Sequence, residues 1–192
     1  MMVRLLRNGR GGSHVKKAGL FLMVIALLWC AADSSATMIG LSIETLTRGA
    51  DLVVDATVQD VRSYWSADGK RILSAVTLAV NETVRGDAKL KLVTVEYEGG
   101  EVNGIRMSVS DIRHLVQGER VVAFLKAGSS AGREVAHVLV GQAQGVYTIG
   151  TDRVARKTGF SLVPGGEVAD SDIDSSVLKS KVSHVQRGGN GR

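Results

Sequence analysis

From Asp51 onward the chain alternates. Leu52, Val54, Ala56 and Val58 fall on one face of an extended segment and Val53, Asp55, Thr57 and Gln59 on the other, and a period of two with β-branched enrichment marks a strand. This predicts a first strand from Leu52 to about Tyr64. Asp68-Gly69 supplies a hairpin turn, so a second strand follows over Ile72–Val84, with Val76, Leu78 and Val80 alternating against Thr77, Ala79 and Asn81. Arg85-Gly86-Asp87 turns the chain again. A third strand then covers Leu90–Glu98, with Val93, Val95 and Tyr97 on one side, and the three together make an antiparallel meander.

Gly99, Gly100 and Gly104 break this rhythm, leaving Ile105–Val109 as a short ribbon. Two short helices are predicted around the strands. Ser42 can cap one that ends at Gly49, with Glu44 at its positive end. Ser110 can cap another over Asp111–Gln117, which Gly118 stops and in which Ile112, Leu115 and Val116 share a side. A fourth strand is expected over Arg120–Lys126, a fifth over Glu134–Val140, and a last hairpin from Val146–Ile149 and Gly159–Leu162. Beyond Pro164 the chain turns acidic and polar. Ile173, Val177, Val182 and Val185 then recur at near-helical spacing behind Ser171 and Asp172, giving a C-terminal helix with Arg187–Arg192 as a disordered end. The fold class is mainly β: a small five-stranded OB-like barrel with short peripheral helices. A sandwich of similar strands is the rival topology.

The N-terminal segment has another character. Residues 1–17 carry Arg4, Arg7, Arg10, Lys16 and Lys17 with no acid, and run into the apolar stretch Ala18–Ala32. This is the layout of a secretory signal. As a helix the apolar stretch would reach about 22 Å, short of the roughly 30 Å hydrocarbon core. Ser34 and Ala36 place the expected cleavage after Ala36, with Cys30–Ala32 an earlier candidate. Lipidation at Cys30 has Leu27 in its favour and the bulky Trp29 against it. The expected organisation is a signal peptide over 1–36, a barrel domain over 37–163 and a tail with a short helix over 164–192. The product would be secreted or periplasmic, or membrane-anchored if the leader Ala18 to Ala32 stays uncleaved.

Composition changes this picture in two ways. The chain of 192 residues has a net charge of +5, but residues 1–36 hold five basic residues and one acidic one, leaving 19 basic and 18 acidic residues beyond them. A net charge of +1 gives no electrostatic footprint for nucleic acid, so no nucleic-acid partner is expected. Cys30 is the single cysteine, which excludes a disulfide framework and a multi-thiolate metal site.

Candidate chemistry is sparse. His114, His137 and His184 fall on separate elements without an i,i+4 pair, so no metal or other cofactor is expected. Ser129, Ser130, Ser175 and Ser176 lie in soft segments with no G-x-S-x-G. Gly99, Gly100 and Gly104 are flanked by Glu98 and Glu101, which would repel a phosphate, and read better as a wide turn. Asn81-Glu82-Thr83 is formally a glycosylation sequon, placed mid-strand. Of the aromatics beyond residue 36, Tyr64, Trp65 and Tyr97, with Arg62, could form a platform at the barrel rim. The competing reading is that Trp65 plugs the barrel end as part of its packing.

The strings ADLVVDATVQDVRSYW (Ala50–Trp65), VTLAVNETVRGD (Val76–Asp87), EGGEVNG (Glu98–Gly104), GERVVAFLK (Gly118–Lys126) and GQAQGVY (Gly141–Tyr147) resemble a group of bacterial secreted proteins of unknown function. In that group a signal peptide precedes one OB-like β-barrel. The resemblance implies fold and export and hands over no active-site residues. The expectation is therefore an exported, non-enzymatic binding module for a protein, peptide or glycan. The alternative is an extracytoplasmic, hydrolase-like enzyme whose polar residues converge only in three dimensions.

Overall fold

A computed structural model describes residues 37–128, 136–163, 165–167 and 170–189. The leader, Cys30, the cleavage sites and the Ser129-Ser130 loop lie outside the described residues. Of the described residues, 45% are strand and 18% helix.

The chain opens with strand β1 (Thr37–Met38) and helix α1 (Ile43–Gly49), then runs through β2 (Leu52–Trp65), β3 (Ile72–Arg85) and β4 (Leu92–Glu98). A small hairpin, β5 (Gly100–Val102) and β6 (Ile105–Met107), leads to β7 (Arg120–Ala127) and β8 (His137–Leu139). Four short strands, β9 (Val146–Ile149), β10 (Val154–Arg156), β11 (Ser161–Leu162) and β12 (Ile173–Asp174), precede helix α2 (Ser175–Gly189). Ser42 caps α1 as its sequence predicts, its hydroxyl accepting the Thr45 N–H at 3.1 Å.

Strands β7, β2, β3, β4 and β8 are hydrogen-bonded in that order, and β8 returns to β7. The ring is closed, which sets the sandwich aside, and its architecture is compatible with an OB-like barrel. All its pairings are antiparallel except β4 with β8. One end of β7 pairs with β8 through Leu125–Ala127 and the other with β9 through Val121–Ala123, so a side sheet of β9, β10 and β12 branches from the barrel.

This branching creates two apolar clusters. Leu52, Val54, Ala56 and Val58 of β2 and Val121, Ala123 and Leu125 of β7 point into the barrel, against Val76, Leu78, Val93 and Val95. The intervening Val53, Val122 and Phe124 point outward, where Leu46 of α1, Leu178 and Val182 of α2 and Tyr147 cover them. Both helices lie outside the barrel, yet Leu178 and Val182 are wholly buried.

Some local expectations need correction. Asp111–Gln117 is not a helix. Asp111 sits at φ +65°, a left-handed conformation that cannot begin a helical turn, and the Leu115 N–H donates to the Tyr97 hydroxyl at 3.1 Å rather than to a helical carbonyl. Gly159–Leu162 does not pair with Val146–Ile149: β10 takes that place, and Ser161–Leu162 instead pairs in parallel with Thr37–Met38. The C-terminal helix continues through Gly189, past Arg187.

Candidate binding groove

The residues of the anticipated rim platform divide between the two faces of the barrel wall. A bulge between Val58 and Asp60 of β2 shifts the alternation by one residue, so Val61 packs toward the barrel interior while Arg62 and Tyr64 fall on its outer face. The Tyr64 hydroxyl donates to Glu96. Tyr97 belongs to the interior: it is 8% exposed and packs edge-on against His114, with ring centroids 5.9 Å apart. Trp65 follows the inward parity to the barrel end, opposite Ile72, and is 40% exposed. Arg62 and Tyr64 therefore share a face, as their spacing predicts, and Tyr97 lies on the other.

The same end is closed by Gly99 and Gly100, at φ +112° and +134°. A side chain on Gly100 would collide with the hydroxyls of Ser63 and Ser74, which lie 2.9 Å apart beneath it. Ser74 also donates to the Gly99 carbonyl at 2.7 Å. The wide turn read from these glycines is a cover over the barrel. Glu98 and Glu101 flank it, paired with Arg71 at 3.6 Å and Arg106 at 2.8 Å.

A different constellation forms where the helices meet the barrel wall. Asp55, on the outward parity of β2, is completely buried. Arg120 grips both its oxygens at 2.9 and 2.8 Å, and Lys179 of α2 donates to it at 3.2 Å and to Glu82 at 2.7 Å. Burial alone would raise the Asp55 pKa, but the hydrogen bonds and charges of Arg120 and Lys179 outweigh it and hold the carboxyl below its ordinary value. Asp55 thus ties α2 to the barrel.

A second polar set holds the N-terminal segment. Gln144, buried, accepts from the Leu41 N–H at 2.8 Å and donates to the Ile39 carbonyl at 2.9 Å. Lys157, 9% exposed, places its ammonium 4.7 Å from the centre of the Tyr147 ring and 3.5 Å from the Leu41 carbonyl. Desolvation pushes its pKa down to about 8 against the opposing pull of Asp170. Burial raises the Tyr147 pKa, with Asp170 and Glu44 adding to the rise, and the Tyr147 hydroxyl has no hydrogen-bond partner among the described residues.

With α2 fixed this way, a groove of about 800 Å³ opens beside α1, α2 and the turn after β3. Glu44 and Arg48 line it from successive turns of α1, Lys181 and His184 from one face of α2, and Asp51 and Arg85 from the junctions of β2 and β3. Lys181 is held by Asp170 at 2.7 Å, and one Asp51 oxygen accepts the Ala127 N–H at 3.1 Å. The arginines are in a different state. Arg71, Arg106, Arg113, Arg120 and Arg156 each have a carboxylate within 4 Å, whereas Arg48 and Arg85 have no hydrogen-bond or ion-pair partner among the described residues. The arrangement can receive anionic groups through the guanidinium forks of Arg85 and of Arg48, the latter also in the field of Glu167.

This groove was not foreseen from the sequence. Its residues come from three distant stretches and match no motif; the one local trace is the i,i+4 spacing of Glu44 and Arg48 on a capped helix. His184 lines the groove, while among the described residues neither His114 nor His137 bonds to a carboxylate. Among the described residues there is no group of three or more His, Cys, Asp or Glu side chains placed to hold a metal ion, and no helix long and apolar enough to cross a membrane. Compared with known proteins, the chain matches no family model and no curated relative.

Proposed function

We propose that this chain is an exported, non-enzymatic binding module whose receptor surface is the groove beside α1 and α2, and that it takes ligands carrying negative charge. The observation that carries this reading is that Arg48 and Arg85 line one groove, beside Lys181 and His184, with no ion-pair partner within 4 Å among the described residues. At about 800 Å³ the groove is open to solvent along its length and has room for a small molecule. Export rests on the basic and apolar leader.

Calorimetric titration of the purified protein with a short glutamate-rich peptide tests the binding reading. Affinity should fall roughly tenfold or more, a loss of about 1.4 kcal/mol, in an Arg48→Gln/Arg85→Gln variant that keeps the wild-type melting temperature. Unchanged affinity in that variant would remove the groove from consideration. N-terminal sequencing of protein recovered from the extracytoplasmic fraction tests export, with Thr37 expected as the first residue.

A further inference from the structure

Both signs of charge line this groove, and Glu44, Arg48 and Arg85 have no ion-pair partner within 4 Å among the described residues, although Glu44 lies in the field of Lys181 and Arg48 in that of Glu167. Glu44 and Arg48 are four residues apart on α1, a spacing at which glutamate and arginine commonly pair, yet no ion pair joins them, and both line the groove. Among the described residues Glu44 has no hydrogen-bond or ion-pair partner. The other charged groups of the wall are more committed, Lys181 to Asp170 and Asp51 through one oxygen to Ala127. What remains available along this wall is the Glu44 carboxylate, one oxygen of Asp51, and the guanidinium groups of Arg48 and Arg85.

Resting on the groove reading above, we infer that the ligand is a zwitterion: a short peptide with free ends, or a free amino acid. Its ammonium group is taken by Glu44 and its carboxylate by Arg48 and Arg85. Two turn positions four residues apart are separated by about 6 Å along a helix axis, so one α-helical face can hold both ends of a small zwitterion at once. An uncharged glycan would leave Glu44, Arg48 and Arg85 desolvated without counter-charges.

Titration of the full chain with four probes separates the possibilities: tri-alanine with free ends, its N-acetylated form, its C-amidated form, and free alanine. The free-ended tripeptide should bind, and blocking either end should weaken binding roughly tenfold or more. Glu44→Gln should abolish discrimination against the acetylated form while leaving discrimination against the amide, and Arg48→Gln/Arg85→Gln should do the reverse. Tighter binding of free alanine than of the tripeptide assigns the amino acid as the ligand; the opposite order assigns the peptide. Equal affinity for the acetylated and free tripeptides, or no binding of any zwitterion alongside binding of the glutamate-rich peptide, would overturn this inference and leave the anion-receptor reading standing. Absence of binding by every probe, the acidic peptide included, overturns both. Each variant is compared by melting temperature, so a change in binding is read only where the fold is retained.

Discussion

The barrel interior and the layer beneath the helices are two faces of the same strands, built with different chemistry. Inside the barrel, alternate residues of β2, β3, β4 and β7 meet as Leu, Val and Ala, with the Ser63 and Ser74 hydroxyls confined to the closed end. On the outer face, Val53, Val122 and Phe124 share their layer with Gln144, Lys157 and Tyr147, and Asp55 is buried on the same side of β2. A ring of strands is held in register by its own backbone ladder and needs no polar anchor. Helices laid on its outer wall have no such ladder, and specific side-chain bonds fix where they sit. The groove arises in that second layer, where polar groups set the position of α2.

The sharpest way to break this contrast is to remove the anchor. Asp55→Ala removes the hydrogen bonds of Arg120 and Lys179 to a buried carboxylate while leaving Arg120 half exposed and Lys179 paired with Glu82, and should cost about 3 kcal/mol in urea unfolding. If the cost were below about 1 kcal/mol, apolar contacts would be sufficient to hold α2. In the wild type this contribution is present above the ordinary aspartate range and is lost on acidification, as pH falls through the lowered folded-state pKa.

Next in size is the titration of Lys157. Its folded pKa of about 8 lies below the ordinary lysine value of 10.5, so between pH 8 and 10 the unfolded chain holds the extra proton. Stability should therefore rise with pH across that window, by up to about 3 kcal/mol. Above it, Tyr97 and Tyr147, whose pKa values burial raises, reverse the trend, because they stay protonated in the folded chain while the unfolded chain ionises. Lys157→Met should flatten the slope between pH 8 and 10, followed by denaturant midpoints at each pH. A flat wild-type profile would place the ammonium in water.

The smallest effect tests the barrel end. Trp65, 40% exposed, should cost about 1–2 kcal/mol on truncation to Ala, below the roughly 3–5 kcal/mol of a fully buried aromatic. A larger loss, read from the same unfolding curves, would make it the plug of the barrel.

The barrel was legible because alternation encodes it directly: Leu52–Val58, Val76–Val80 and Val93–Tyr97 each keep their expected interior faces. The bulge after Val58 was not, since Gln59 and Asp60 look like ordinary outward residues; the extra residue sets the inward parity that carries Trp65 to the barrel end. The helix expected at Asp111–Gln117 failed because capping chemistry and an apolar side were present while the backbone at Asp111 went left-handed. The groove had almost no signature. Its charged residues look like common surface positions, and only the folded chain shows which arginines lack acids.

The sharing of β2 and β7 by both layers has a consequence for how the molecule opens. Backbone amides of Val53–Ala56 and Val121–Leu125 are bonded to strands on either side, and their side chains are buried above and below. Neither the barrel nor the helical layer can come apart without uncovering the other. Deuterium uptake at these amides requires the whole domain to unfold, so their exchange free energy measures global stability, while the amides of α2 can exchange through smaller openings that leave the barrel intact.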